Sequence, residues 1–527
     1  MYLNLNYFIK ISNNKAVPNF NKFLKFEYFI LGIFIALLCC VFISKKRKHE
    51  HIPNSQISRW KSLLEFVNCL WILKMNQFFI WHSKENRDKD IYKIQLGFQE
   101  MVVVTNPDMI MQVCSMRPGS YIRPKSTTGA LSTAHNVFAS EADNWKTHRK
   151  TAGAFTMTQM SNLFQPINHI VDRFIRKLEQ HLDNDNNNNN NNFGSEINVS
   201  QEMSGIALDV IHLVGLGHEF GISSEKVPIG KVSKFAKRIR VALPVITKRI
   251  MSPFPYWKVR PSWTDRQLDK FIQMIRDYRT AQQADQPEPA SPFLKSLVEQ
   301  LDANSINEDE IIANLAVYVL AGHDTITCTL SYTLHLLAMN QDILKKVRNE
   351  VDLVMNSLAV DGCDEPVITN KIASQFVYLQ QVILETFRFK SLVPFIMLEC
   401  NQDNIISSPA CGNVEIYEGA SICLSFESYY NNPKYFVKPE EFNPDRWKGV
   451  NIDNCQHFKL FPYSYGPRMC PGKRLSKVEL VVILAKLIHR FDIQTSQNKM
   501  NHSYQDHYSF LQSPDPGIII NFKFREN

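Results

Sequence analysis

The chain has 527 residues, of which 44% are hydrophobic and 21% charged, with 59 Lys and Arg against 51 Asp and Glu. This balance excludes an intrinsically disordered chain, because it supplies enough apolar side chains for a large core. The net charge of +8 is a mild excess, and the sequence has no dense stripe of basic residues interleaved with aromatic ones. Nucleic acid is therefore not an expected partner, whereas a membrane surface or an acidic protein is.

The first strongly apolar segment covers residues 23–44 and follows an N-terminal extension, residues 1–22. Its first 21 residues, 23–43, would span roughly 31 Å as a helix, close to the thickness of a bilayer core, so we predict a transmembrane anchor. Four basic residues, 45–48, open a basic linker, residues 45–60. They favour a cytosolic stop-transfer sequence over a cleaved signal peptide, although lysines before the anchor leave the orientation open. Residues 61–527 then form one predicted domain.

Periodicity predicts a mainly α-helical domain with small β-sheets near both ends. Residues 63–81 favour an amphipathic helix that packs on the domain or rests on a membrane. The asparagine run at 186–192 predicts a disordered loop between two helices. Short strands are predicted at residues 91–96, 100–104, 413–416, 421–424 and 517–524, and a helix after Asn106-Pro107.

The cysteines carry no spacing typical of a zinc site or a redox pair, since none forms a C-x-x-C motif. An odd, irregular set predicts reduced thiols and not a disulfide framework. The eleven cysteines are Cys39, Cys40, Cys69, Cys114, Cys328, Cys363, Cys400, Cys411, Cys423, Cys455 and Cys470.

Cys470 differs from the others because prolines and glycines on both sides predict a tight loop, Phe461–Gly472, directly before a helix. Backbone N–H groups and the dipole at a helix start favour the thiolate over the thiol. Such a cysteine is suited to binding haem iron, and Arg468 could pair with a carboxylate of the porphyrin.

A second feature lies inside a long apolar helix, which we expect to open with a capping box at Ser305–Glu308 and to end near Ala338. Its middle reads Ala321-Gly322-His323-Asp324-Thr325. A glycine inside a helix costs about 1 kcal/mol relative to alanine, which suggests that something flat approaches there. The Thr325 hydroxyl is expected to bond to a carbonyl one turn earlier and to open a groove.

The loop resembles the haem-binding signature of the cytochrome P450 family, F-x-x-G-x-R-x-C-x-G, with Tyr463 at the first aromatic position. The resemblance implies that Cys470 ligates the iron of haem b (iron protoporphyrin IX), that Arg468 contacts a propionate and that Tyr463 packs under the haem. The helix motif matches the family's oxygen-binding A-G-x-[DE]-T. By resemblance, Asp324 and Thr325 deliver protons to dioxygen, and Ala321 with Gly322 lines the haem face.

Two further motifs appear in the family's order. Glu385 and Arg388 resemble its E-x-x-R motif, and with Arg446 they would form a buried structural network. Trp145 and Arg149 resemble its W-x-x-x-R motif and would face a propionate. The chain departs from the family after Arg388, where residues 391–399 lack the basic residue that many relatives place there, so the resemblance supplies no propionate contact from this segment.

The resemblance implies a monooxygenase that inserts one oxygen atom from O2 into a lipophilic substrate, with the catalytic domain on the cytosolic side of the endoplasmic reticulum. Its electrons would come from NADPH–haemoprotein reductase or a cytochrome b-type donor, attracted by a basic surface. The surface residues expected there are Lys146, Lys150, Lys473, Arg474 and Lys477. Two alternatives are an isomerase or dehydratase of peroxides with the same fold, and a haem-binding protein without turnover. The intact Asp324-Thr325 pair argues against both.

Overall fold

The computed structural model describes residues 49–71, 75–96, 99–129, 135–151, 160–189, 194–217, 219–231, 233–250, 265–285, 291–359, 365–496, 504–509 and 511–525. The extension predicted at residues 1–22 and the anchor predicted at 23–44 lie outside these ranges, as do the four basic residues of the linker.

Helices make up most of the described chain, as the sequence predicted. They are α1 (Arg59–Trp71), α2 (Met75–Glu85), α3 (Pro107–Ser115), α4 (Lys125–Gly129), α5 (Ala142–Arg149), α6 (Phe164–Asn189), α7 (Val199–Leu216), α8 (Lys234–Ile250), α9 (Asp265–Asp285), α10 (Pro292–Asp302), α11 (Glu308–Met339), α12 (Gln341–Ala359), α13 (Asn370–Ala373), α14 (Val377–Phe389), α15 (Phe426–Tyr430) and α16 (Lys473–Arg490). Two 3₁₀-helices, Pro444–Trp447 and Cys455–Phe458, precede the cysteine loop.

The strands form small sheets toward both ends of the described chain. They are β1 (Ile91–Leu96), β2 (Gln99–Val104), β3 (Tyr121–Ile122), β4 (Ser195–Asn198), β5 (Phe395–Cys400), β6 (Asn404–Ser408), β7 (Gly412–Ile416), β8 (Ser421–Ser425), β9 (Phe491–Thr495), β10 (Gln505–Ser509), β11 (Leu511–Asp515) and β12 (Ile519–Phe524). The largest sheet has the order β1-β2-β8-β5-β3, in which only the β2–β8 pair is parallel. A second sheet has the order β4-β12-β9, and β6–β7 and β10–β11 are hairpins.

Helix α11 runs through the core of the molecule. Within the described residues it is the one helix long and apolar enough to cross a membrane, but most of it is buried in the protein. The sequence placed its capping box two residues too early. Asn307 Oδ1 accepts from the Glu310 N–H at 3.0 Å, and Glu310 Oε2 accepts from the Asn307 N–H at 2.8 Å. The Ser305 N–H instead donates to the Gln300 carbonyl at 2.9 Å, at the end of α10.

Two other expectations differ from the structure. The described residues of the amphipathic segment 63–81 belong to two helices, α1 and α2, and Phe78 and Phe79 of the second helix bury both rings in a separate small cluster with β1 and β2. Helix α6 continues through the first four residues of the asparagine run, to Asn189. Each added residue of an established helix gains a backbone hydrogen bond, so the modest helix propensity of asparagine does not stop it at once.

Most apolar side chains share one large cluster, which contains residues from Ile52 near the start to Phe522 near the end. Helix α11 packs against α7, α14 and α16 inside it. The two segments that the sequence singled out, the middle of α11 and the loop before α16, are thereby held on rigid elements.

Candidate active site

The loop before α16 is shaped by its own backbone hydrogen bonds. The Cys470 N–H donates to the Tyr463 carbonyl at 2.9 Å, and the Met469 N–H donates to the Gly466 carbonyl at 3.1 Å. Gly466 has φ +73°, and a Cβ placed on it would lie 2.5 Å from the Cys114 carbonyl oxygen. Glycine is therefore required there both by conformation and by space.

The side chain of Cys470 has accessible surface although the fold encloses it, so this surface faces the interior of the molecule. Burial raises the pKa of the Cys470 thiol, against smaller opposing effects from the Gly472 N–H and the charge of Arg149. The sequence led us to expect a stabilised thiolate. In the structure, desolvation outweighs the helix start, so a cation at the sulfur is needed to favour deprotonation.

Tyr463 is placed behind the loop. Its ring is buried and packs edge-on against Phe387 of α14, with ring centroids 5.6 Å apart. Its hydroxyl accepts a hydrogen bond from Ser476 Oγ at 2.9 Å. Tyr463 thus ties the cysteine loop to α14 and α16.

The middle of α11 has an accessible strip on an otherwise buried helix. Ala321 is exposed, and Asp324 and Thr325 are partly exposed, although the residues around them are buried. Thr325 Oγ1 donates to the Ala321 carbonyl at 2.8 Å, the backbone contact that the sequence predicted. Since both ends of the helix continue into the core, this strip also faces the interior.

The structure explains the glycine at position 322 by helix packing, which the sequence did not suggest. A Cβ on Gly322 would lie 2.5 Å from Cδ1 of Ile211, which projects from α7. The glycine therefore lets two helices pack closely, and a flat group is not needed to explain it.

The cysteine loop and α11 approach each other near Tyr318, one turn before the strip. Burial raises the pKa of Tyr318 to about 12, and both Arg149 and Cys470 are close enough to alter it. The structure thus brings together residues that are about 150 positions apart in sequence.

Helix α5 contributes Trp145 and Arg149 to the site. Trp145 is buried, and the Arg468 guanidinium carbon lies 4.8 Å from the centroid of its ring. Arg149 is half-buried one turn later and acts on Cys470 through its charge. Arg468 Nη2 donates to the Ser140 carbonyl at 2.9 Å and to Glu141 Oε1 at 3.0 Å.

Sequence reasoning missed two members of this group, Arg117 and Arg123. The charge of Arg117 lowers the pKa of Arg468, and the charge of Arg468 lowers the pKa of Arg123. Arg123 Nη1 also lies 3.6 Å from Glu141 Oε1. No known motif marks them, and the sequence signal is only a repeated Arg-Pro dipeptide. We name Arg117, Arg123, Arg149 and Arg468 the arginine cluster.

The chain matches the family model described as Cytochrome P450 over residues 58–521. The chain belongs to the cytochrome P450 family. Among curated relatives, cytochrome P450 3A9 of Rattus norvegicus is 24% identical over 412 residues, covering 76% of this chain and 78% of the rat protein. Cytochrome P450 3A11 of Mus musculus is 22% identical over 498 residues, covering 90% of this chain and 92% of the mouse protein. The family consists of haem monooxygenases, so this P450 is an enzyme with a haem cofactor.

The arginine cluster fits a haem well, because among the described residues Glu141 is the one carboxylate that pairs with any of its four cations. Buried nitrogens of three arginines have no hydrogen-bond partner among the described residues: Arg117 Nε and Nη2, Arg123 Nη1, and Arg468 Nε and Nη1. Burial lowers the pKa of all three, that of Arg468 to about 10, and repulsion from neighbouring arginines adds to this at Arg123 and Arg468, while the charge of Glu141 opposes it at each of them. Two propionates would supply the missing acceptors and charges.

The E-x-x-R network of this P450 is closed and buried. Glu385 accepts from Arg388 at 2.8 and 2.9 Å and from Arg446 Nε at 3.0 Å. The sequence missed two more donors to the same carboxylate, Trp447 Nε1 at 2.8 Å and the Asn443 N–H at 3.0 Å. Arg388 also reaches three backbone carbonyls, so none of the buried charges is left unpaired.

The basic residue that many P450s place after the E-x-x-R helix has no replacement nearby. Lys390 is the closest candidate, but its Nζ lies 2.8 Å from Asp506 Oδ2 on β10. Lys390 is therefore held in an ion pair and does not take the place of the missing residue.

Proposed function

We propose that this P450 inserts one oxygen atom from O2 into a lipophilic organic substrate, with electrons from an external NADPH–haemoprotein reductase. The observation that carries the proposal is the convergence of three features on one interior region. They are the accessible thiol of Cys470, the accessible strip of α11 and the arginine cluster with unpaired donors. A flat dianionic iron porphyrin is a group that satisfies all three.

We assign each residue a role from its position. Cys470 Sγ would bind iron, and Trp145, Arg149 and Arg468, with Arg117 and Arg123, would hold the propionates. Ala321 and Thr325 would line the opposite face. When bound, haem b supplies the oxygen activation that no side chain can perform.

We assign proton delivery to Asp324 and Thr325. Thr325 Oγ1 now donates to the Ala321 carbonyl, and the same hydroxyl can turn its proton toward the interior. Asp324, the neighbouring residue, would return that proton to Thr325 Oγ1. The intact pair favours a monooxygenase over a peroxide isomerase, which needs no external protons.

The reductase would dock on a smaller basic surface than the sequence suggested. Lys146, Lys150 and Arg474 are exposed, but Lys477 is buried with its Nζ 2.5 Å from Asp453 Oδ2. Lys473 donates to the Asp453 carbonyl at 2.9 Å. A docking role for Lys150 and Arg474 predicts that reversing both charges slows reduction and weakens its dependence on salt, because electrostatic steering sets the on-rate.

The apolar segment 23–44 and the basic residues behind it support a single-pass anchor in the endoplasmic reticulum, with the catalytic domain in the cytosol. A membrane-bound enzyme meets substrates dissolved in the bilayer, which supports a lipophilic substrate class. Deleting residues 1–48 should release the protein from microsomes while its haem spectrum persists.

The deciding experiment is the optical spectrum of the dithionite-reduced, carbon monoxide-bound protein. The wild type should show the strongly red-shifted Soret band of a thiolate ligand, and Cys470→Ser should lose it. Substrate-dependent NADPH consumption with added reductase then separates a monooxygenase from a peroxide isomerase and from a haem carrier. A wild type with no haem, or with an unshifted band that Cys470→Ser leaves unchanged, would refute the proposal.

A further inference from the structure

A buried amide on α11 connects parts of the site that share no sequence motif. Asn314 is fully buried, two turns before Ala321, a rise of about 10 Å along the helix. Its Oδ1 accepts from the Val137 N–H at 3.0 Å. Its Nδ2 donates to the Glu310 carbonyl at 2.7 Å and contacts His148 Nδ1 at 3.0 Å.

The contact with His148 fixes the proton on that ring. An amide Nδ2 can only donate, so His148 Nδ1 must accept, and the ring hydrogen resides on Nε2. That Nε2 lies 3.7 Å from Glu310 Oε1, on the same turn of α11 as the capping box. Burial lowers the pKa of His148, which keeps the ring neutral as this arrangement requires.

Both partners of Asn314 lead directly to haem-binding candidates. His148 stands on α5 next to Arg149 and one turn from Trp145. Val137 belongs to a turn, residues 136–141, in which Asn136 Oδ1 accepts from the N–H groups of Phe138 and Ala139 at 3.0 and 2.9 Å. The same turn holds Arg468 through the carbonyls of Phe138 and Ser140, at 3.3 and 2.9 Å.

We propose that Asn314 is a positioning residue that sets the spacing between the arginine cluster and the accessible strip of α11. It does so through His148 on one side and the turn 136–141 on the other. This inference rests on the proposed function, because the spacing matters only if a haem lies between the two surfaces. Asn314 itself touches neither group and is not a catalytic residue.

The chain offers a matched control on another helix. Asn168 of α6 is also buried and also makes three bonds: its Nδ2 donates to the Phe164 carbonyl at 2.8 Å and to the Ile368 carbonyl at 3.1 Å, and its Oδ1 accepts from the Ile368 N–H at 2.9 Å. Like Asn314, it bonds the carbonyl four residues earlier and a second segment. Asn314→Leu and Asn168→Leu therefore remove equivalent bonds at two places.

The experiment measures the thermal midpoint, the iron midpoint potential and the rate of haem transfer to apomyoglobin for both variants of the full chain. Both should unfold at lower temperature. Only Asn314→Leu should shift the potential and speed haem loss, by about tenfold, which corresponds to about 1.4 kcal/mol or one buried hydrogen bond. Equal haem loss and potential in the two variants would overturn the proposal, because Asn314 would then be one structural bond among others.

A second pair of variants decides the matter if Asn314→Leu does not fold. His148→Leu removes the bond to Asn314, together with the 3.7 Å contact to Glu310, and should speed haem loss. His148→Gln, whose amide oxygen can accept from Asn314 Nδ2, should restore part of the wild-type rate. If the two variants lose haem equally fast, the coupling is refuted. A wild type without the red-shifted Soret band would instead refute the proposed function, so the two failures are distinguishable.

Discussion

The guanidinium carbon of Arg468 lies 4.8 Å from the ring centroid of Trp145, and both side chains are buried. A desolvated cation–π contact of this kind is worth about 2 kcal/mol. We therefore expect Trp145→Leu to lose haem faster, whereas Trp145→Phe keeps an aromatic face for Arg468 and should be milder. Haem transfer to apomyoglobin measures both rates. Identical rates in the two variants would show that packing volume, and not the ring, supports Arg468.

A comparison of Gly466 with Gly449 separates the cost of backbone strain from the cost of a steric clash. Both have positive φ, +73° and +81°, but a Cβ meets the Cys114 carbonyl at Gly466 and no atom within 4 Å at Gly449. Gly449→Ala should therefore cost only backbone strain, about 1–2 kcal/mol. Gly466→Ala should cost more and reduce the haem content, because the cysteine loop must move. Urea unfolding and the haem-to-protein ratio test this, and equal effects of the two variants would contradict it.

Much of the fold could be predicted because its signals are local. The strands predicted at residues 91–96 and 100–104 pair as β1 and β2, and Pro107 after Asn106 marked the start of α3, whose N–H groups at Asp108 and Met109 bond to the Asn106 side chain. The burial of Phe78 and Phe79 in a cluster separate from the main core could not be predicted, since their partners on β1, β2 and β5 are brought to them only by the fold.

The candidate site was predictable where a motif exists and not elsewhere. Cys470, Thr325 and Glu385 are marked by short patterns, whereas Arg117 and Arg123 acquire meaning only when the fold brings them next to Arg468. Lys477 shows the reverse error. The sequence suggested a surface charge, but the Lys477 side chain is buried and its Nζ pairs with the exposed carboxylate of Asp453.

The capping box of α11 can be located by two substitutions. Asn307→Ala removes the side-chain bond to the Glu310 N–H and should cost about 1 kcal/mol of unfolding free energy. Ser305→Ala should have little effect, because within the described part of the chain its backbone N–H, and not its side chain, is bonded, to the Gln300 carbonyl. Urea denaturation of both variants checks this. A larger loss from Ser305→Ala would restore the position that the sequence suggested.

Glu385 should be among the most sensitive positions in the molecule. Its carboxylate is fully buried and accepts from Arg388, Arg446 and Trp447, so Glu385→Ala leaves the Arg388 charge unpaired and should cost about 3–5 kcal/mol. Lys438→Ala breaks the exposed pair with Glu441 and serves as the control, with little expected effect. The yield of folded protein and urea unfolding report the difference. A tolerated Glu385→Ala would contradict a bracing role for the network.

Glu427 predicts a dependence of stability on pH. It is buried on α15, its Oε1 accepts from Asn431 Nδ2 at 3.1 Å, and its Oε2 has no hydrogen-bond partner among the described residues. Burial raises the pKa of Glu427 from 4.5 to about 7, with the charge of Lys390 opposing the change and that of Asp506 adding to it. The folded state therefore holds this proton more tightly than the unfolded state does.

The direction of the pH dependence follows from this difference in proton affinity between the folded and unfolded states. The contribution of Glu427 is fully present below pH 4.5 and is lost as the pH rises to about 7. Glu427→Gln keeps an acceptor for Asn431 and carries no charge, so its stability relative to wild type should rise over this window by up to about 3 kcal/mol.

Glu350→Gln is the matched control, because both Glu350 oxygens accept backbone N–H groups, from Tyr378 at 2.7 Å and Leu379 at 3.0 Å, and an amide can replace only one. Urea unfolding at pH 5 and pH 8 should show a gain for Glu427→Gln that grows with pH and a loss for Glu350→Gln at both values, since an amide nitrogen would then face a backbone donor.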